Sequence, residues 1–349
     1  LITSFILLSA ISIISVLWTY SNDLPDYKFL KSYKPPVSSK VYSGNGDLVA
    51  DFSQEKRVFV PFNSIPKNVI NAFLSAEDKN FFKHPGVDAK GVIRAVINNI
   101  SNILSSKRLE GASTITQQVA KNFLLTNEVS LNRKIKEAIL AFRIERALSK
   151  ERILELYLNQ IYLGSGAYGV AAASLEYFDK SIKDLNYSEA ALLAALPKAP
   201  SRYNPYRDPD IAKFRRNLVL KNLLDNNYLT SEWYEKITKE EIILKKNKKI
   251  YLEDAQYFIE DVRKSVIETL SYDKVYKQGF NINTPIDLNL QTIATKSLRD
   301  GLIAYDKRKG WRGPLTNKIY NSEWKKDLEK YKLENSINWK LAIVKKINK

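Results

Sequence analysis

The chain of 349 residues has no cysteine, no methionine and a single histidine, His84. Without thiols there is no disulfide, no thiolate nucleophile and no ordinary Cys/His zinc site. A Ser-His-Asp arrangement would have to use His84, so chemistry falls to carboxylates, hydroxyls, amides and cations. Because even an initiator methionine is missing, the sequence reads as a fragment. What is abundant is positive charge: 55 Lys and Arg against 38 Asp and Glu give +17. Of that excess, +8 lies in residues 301–349, where thirteen basic residues face five acidic ones. Nucleic-acid binding would want a basic stripe interleaved with aromatics, and the middle of the chain has none. No nucleic-acid partner is expected, and attraction to anionic lipid or polymer is the simpler account.

At 44% hydrophobic the chain can bury a sizeable core in two or three domains. Residues 1–18, LITSFILLSAISIISVLW, carry no charge, proline or glycine. As a helix they reach about 27 Å, close to a bilayer core, and Trp18 and Tyr20 supply an interfacial aromatic belt. A single-pass anchor over 1–20 is expected, too long for a signal-peptide core. Residues 21–60 read as a stalk, with Pro25, Pro35 and Pro36, followed by a small hairpin around Gly44-Asn45-Gly46. RVFV (57–60) is a further strand-like run. Helical periodicity dominates 61–210 and ends at LPKAPSRYNP (196–205), where three prolines forbid continuation. A helical linker follows over 211–275, with a Lys-rich break at 245–249. From 276 to 349 the pattern is mixed and ends on LAIVKKINK, which reads as a first strand.

Four clusters carry the candidate chemistry. In SAEDKNFFKHPGVD (75–88), helical spacing puts Glu77 on the face of Ile70 and Phe73, an acid on an apolar stripe. Burial there would raise its pKa toward the range of a general base, whereas a helix-end Glu facing water is the plainer alternative. In GASTITQQVAKN (111–122), Thr114, Gln118 and Lys121 fall at i, i+4 and i+7, so a hydroxyl, an amide and an ammonium share one stripe. In LNRKIKEAILAFRIE (131–145), Arg133 and Glu137 are an i, i+4 pair with Lys134 beside them, by itself an ordinary surface salt bridge. In ELYLNQIYLGSGAYGVAAA (155–173), Gly164, Gly166 and Gly169 match a dinucleotide fingerprint. That fingerprint needs a preceding strand, and here a helix starts after Ser149 instead.

These clusters, written AExxxFxxHxG, GASTITQQxxKN, RKxKE and ELYLNxxYLGxGAYG, closely resemble the four signatures of the family 51 peptidoglycan glycosyltransferases. EAALLAALPKAPSRYNP (189–205) matches a fifth. FRRNLVLKNLL and the stretches after it resemble the linker and transpeptidase entry of class A penicillin-binding proteins of the 1A type. The resemblance implies a mainly α protein: an N-terminal transmembrane helix, a lysozyme-like all-helical glycosyltransferase domain over 61–210, a helical linker, and over 276–349 the start of a β-containing transpeptidase module with an OB-like insertion. The transpeptidase motifs S-x-x-K, S-x-N and K-T-G do not follow in order, so no transpeptidase activity is expected of this stretch.

The same resemblance implies polymerisation of lipid II into glycan strands, with inversion and release of undecaprenyl diphosphate. It implies Glu77 as general base with Asp78 tuning it, and Lys121, Arg133 and Lys134 on the leaving diphosphate. Glu137 is the second acid. Thr114, Gln117, Gln118, Phe81 and His84 go to substrate positioning or local architecture. A divalent cation, Mg²⁺ or Mn²⁺, is expected on the substrate diphosphate without a protein metal cage or organic cofactor. Expected partners are lipid II, the growing strand, membrane lipid and other cell-wall proteins. The expected place is the bacterial inner membrane, with the catalytic domain on the extracytoplasmic side. The run GVIRAVINNISNIL (91–104) is either a membrane-dipping helix or a plain core helix. A lytic muramidase-like enzyme and a non-catalytic scaffold are the competing readings.

Overall fold

The computed structural model describes residues 15, 19–21, 24–33, 35–53, 55–104, 111–126, 128, 130–245, 253–310, 313–316, 324–331 and 340–345. The expected anchor falls mostly outside them. Among the described residues no helix is long and apolar enough to cross a membrane.

The helices begin where short polar side chains can accept a free backbone N–H. Thr114, Ser130, Ser149 and Asn186 cap Ile115–Leu124 (α3), Leu131–Ala147 (α4), Lys150–Gln160 (α5) and Tyr187–Ala195 (α7). Asp208 caps Pro209–Asp225 (α8), whose first-turn proline loses no hydrogen bond there. Each such cap is worth about 1 kcal/mol. Lys67–Glu77 (α1), Ala89–Leu104 (α2), Val170–Phe178 (α6) and Ser231–Lys239 (α9) complete the helical body.

The core is built around α7. Its sequence YSEAALLAA leaves only Tyr187 and Glu189 partly exposed, as an apolar-all-round helix must be enclosed. Helices α1 and α8 pack on it, and α3 packs on both α4 and α5. Arg216 of α8, with no surface exposed, hydrogen-bonds Ser188 of α7 at 3.1 Å and the Thr238 carbonyl of α9 at 3.3 Å. A buried guanidinium thus satisfies its donors while tying three helices together.

The expected hairpin forms from Ser39–Tyr42 (β1) and Leu48–Phe52 (β2), antiparallel with Gly46 at φ 87° in the turn. RVFV behaves differently. Only Lys56–Arg57 (β3) is a strand, and it pairs in parallel with Ala167–Tyr168 (β4) rather than extending the hairpin. The helix that starts after Ser149 stops at Gln160, and Gly164, Gly166 and Gly169 take positive φ in the turn that makes β4. A Cβ on Gly169 would lie 2.7 Å from the Asn159 carbonyl oxygen, so these glycines serve close packing.

The helical linker is Gln256–Leu270 (α10) and Tyr272–Lys277 (α11). Asn281–Asn283 (β5) then returns to pair in parallel with β1, and Val275 joins Val41, Val49 and Phe52 in a second small core. Contacts divide the chain into residues 1–288 and 289–349. The second unit holds most of Leu288–Arg308 (α12) and all of Trp324–Glu329 (α13). Among its described residues there is no strand, and LAIV (341–344) is unpaired there. Much of the stretch expected to begin an OB-like insertion lies outside the described residues.

Candidate active site

Glu77 ends α1, whose Val69, Ala72, Phe73 and Leu74 are buried in the core. The helix thus delivers an acid to the edge of that core, as the apolar stripe implied. Gln118 Nε2 of α3 donates to Glu77 Oε2 at 2.7 Å. Enclosure by protein raises the Glu77 pKa above the usual carboxylate range. The Gln118 hydrogen bond and the charges of Arg215 and Lys198 pull it down, and Asp78 pushes it up again.

Asp78 points the other way. Its carboxylate accepts the His84 Nε2 hydrogen at 3.0 Å and the Ile115 backbone N–H, also at 3.0 Å, at the start of α3. His84 Nδ1 accepts the Gly86 N–H at 3.1 Å, which assigns the proton to Nε2. Thr114 Oγ1 donates to the Gly86 carbonyl at 2.5 Å. Thr114 and Gln117 also close a capping box, with the Thr114 N–H donating to Gln117 Oε1 at 2.9 Å. Gly86 has φ 103°, and a Cβ there would meet the Ala141 backbone at 2.8 Å. Phe81 is fully buried beneath this knot, with Lys150 Nζ 4.4 Å from its ring centroid.

The structure thus divides the candidates. Asp78, Phe81, His84, Thr114 and Gln117 are buried, and hydrogen bonds join the side chains of Asp78, His84, Thr114 and Gln117 to neighbouring protein groups. They fix the end of α1 against the start of α3. Glu77, Gln118 and Lys121, by contrast, are half-buried beside that junction. Thr114 was expected on the same stripe as Gln118 and Lys121. It is the cap instead, because T-x-x-Q offers both halves of a reciprocal hydrogen-bond pair.

The cations gather beside Lys121. On α4, Arg133 and Lys134 both donate to the carboxylate of Glu137, Lys134 at 2.6 Å. Glu137 is 1% exposed, and its carboxylate is engaged by both cations. Lys134 Nζ also donates to Ser113 Oγ at 2.9 Å. Burial, then mutual repulsion, lowers the pKa of both Lys121 and Lys134. Arg133 and Lys134 on one carboxylate, with Lys121 near enough to feel the charge of Arg133, give the site surplus positive charge, suited to a multiply charged anion.

Two further cations approach Glu77 from other elements: Lys198, just after α7, and Arg215 of α8, whose guanidinium lies 5.8 Å from the Tyr203 ring centroid. Sequence reasoning gave them no role. Lys198 sat in a quoted motif and Arg215 in FRRN, but nothing local ties either to residue 77. Among the described residues no three His, Asp or Glu side chains converge as a metal cage.

A raised acid and a surplus of cations thus share one helix-lined face. The chain belongs to the Transglycosylase family, whose model matches residues 45–224. It is 48% identical over 331 residues to penicillin-binding protein 1A of Rickettsia felis, covering 94% of this chain and 42% of the relative. To penicillin-binding protein 1A of Aquifex aeolicus it is 49% identical over 283 residues, covering 81% of this chain and 38% of the relative. The crystal structure of penicillin-binding protein 1A from Haemophilus influenzae is similar, with a TM-score of 0.52 at 28% identity over 86% of this chain and 35% of that one. The chain thus spans less than half the length of these relatives. They bear the name to which the motifs pointed.

Proposed function

We propose that the chain polymerises lipid II into glycan strands. Glu77 takes the proton of the GlcNAc 4-hydroxyl of one unit as its oxygen attacks the anomeric carbon of the growing strand. The bond to undecaprenyl diphosphate breaks, and the configuration inverts. Lys121, Arg133 and Lys134 take up the charge that grows on the departing diphosphate, with Arg133 offering a planar fork and the lysines point charges. Glu137 orients Arg133 and Lys134. Gln118 holds Glu77 in place. The observation that carries this reading is the pairing of a base of raised pKa with a cation cluster along α3 and α4.

Among the described residues Glu137 is already engaged by two cations. A divalent cation at the diphosphate would be held by substrate oxygens, and no step is routed through it. Lipid supply fits α2. Its Ile93, Ile97 and Ile100 are 61%, 61% and 59% exposed, so it is not a plain core helix. Such a face supports contact with membrane lipid, in keeping with an anchor at 1–20 and an extracytoplasmic catalytic domain.

The test is gel analysis of polymer from labelled lipid II in detergent with Mg²⁺. The chain should make polymer that Lys121→Ala reduces by about 10²-fold. Glycan cleavage without lipid II consumption would favour the muramidase reading and overturn this one.

A further inference from the structure

Tyr157 of α5 is 1% exposed, and among the described residues its hydroxyl has no hydrogen-bond partner. A buried phenol ordinarily finds one. Tyr177, equally buried, donates to the Leu163 carbonyl at 2.9 Å. The Tyr157 ring packs edge-on against Phe73, with centroids 6.2 Å apart, and Phe73 lies one turn before Glu77 on α1. Burial pushes the Tyr157 phenol pKa well up, and the charges of Glu77 and Asp78 add to that. A phenylalanine would fill the same space without burying an unpaired polar atom, so packing alone does not account for the hydroxyl.

Of the two acids, Asp78 is already engaged by His84 and the Ile115 N–H. Glu77 holds one described donor, Gln118 of α3. The other charged groups that act on it are Lys198 after α7, Arg215 of α8, Lys121 of α3 and Asp78 itself. We propose that Tyr157 is a positioning residue whose phenolic hydrogen is reserved for the Glu77 carboxylate when that group carries its charge. The bond is not made while Glu77 Oε2 is turned to Gln118, so it belongs to a second state of the same carboxyl. A donor that engages only the charged form helps the base to ionise and fixes its direction. The inference deepens the proposed reading of Glu77 as base and rests on it.

The experiment uses the full chain in detergent and compares the parent, Tyr157→Phe and a chain carrying 3-fluorotyrosine at 157. Three quantities are read: the melting temperature, the titration of the ¹³C-labelled Glu77 carboxyl, and kcat and KM for labelled lipid II against pH. Tyr157→Phe should melt no lower than the parent, since it loses an unpaired hydroxyl. Its Glu77 should titrate about one unit higher, with kcat about tenfold lower on the acidic limb and KM unchanged, the loss of one hydrogen bond to a charged group. The fluorinated phenol, a stronger donor, should shift Glu77 downward. An unchanged Glu77 titration in both variants overturns the proposal, and so does a shift of Asp78 in place of Glu77. If the parent fails to polymerise lipid II, the functional reading falls, while the titration still decides whether the phenol serves Glu77.

Discussion

Gln118 Nε2 and Glu77 Oε2 lie 2.7 Å apart, joining the last residue of α1 to the second turn of α3. The bond sets the direction of an acid whose enclosure favours the neutral form. Removing the donor leaves the charged form less favoured still. Gln118→Ala should therefore raise the Glu77 pKa and move the acidic limb of the polymerisation profile upward. A rate measured across pH 5 to 9 checks this, and a limb that stays in place would show that Gln118 serves another group.

The raised Glu77 pKa also sets a stability window. Below the ordinary carboxylate pKa, Glu77 is protonated in both folded and unfolded chains and costs nothing. As pH rises toward and through the raised folded value, the unfolded chain releases the proton more readily, so the folded state loses stability. Glu77→Gln should raise the melting temperature at pH 8 and leave it nearly unchanged at pH 4. Thermal unfolding at the two values decides it, and an equal shift at both would mean that charge is not the cause.

Asp78, by contrast, belongs to the framework. Asp78→Ala leaves the His84 Nε2 and Ile115 N–H donors buried without their acceptor. The expected loss is about 3 kcal/mol in urea unfolding, from two unsatisfied buried donors. Activity should fall in step with the folded fraction. Gly86→Ala, with its Cβ 2.8 Å from the Ala141 backbone at φ 103°, should cost about 2 kcal/mol or more by the same assay.

Lys121 and Lys134 lose their protons more readily than an exposed lysine, first through burial and then through Arg133. Their loss of charge should form the alkaline limb of the profile. Lys134→Arg, which stays charged, should move that limb upward. Inhibition by inorganic diphosphate should weaken about tenfold in Arg133→Lys, which keeps the charge and loses the planar fork. Unaltered inhibition would place the leaving group elsewhere.

Much of this was legible where the cause is local. Ser149 announced a helix start, Gly44-Asn45-Gly46 announced the hairpin, and the apolar stripe placed Glu77. The capping pair at T-x-x-Q (114–117) is written in the sequence too, while the stripe reading grouped Thr114 with Gln118 and Lys121. Long-range pairings left no local mark. β3 finds its partner 111 residues away at β4, and β5 returns to β1 across the whole helical body. Lys198 and Arg215 meet Glu77 only because α7 and α8 pack against α1.

The most direct test of the account is the polymerisation of labelled lipid II by the chain and by Glu77→Gln, each first shown to be folded by its melting curve. The account predicts glycan polymer from the first and a loss of about 10³-fold or more from the second. Equal polymer from both would remove Glu77 as the base and contradict the central claim.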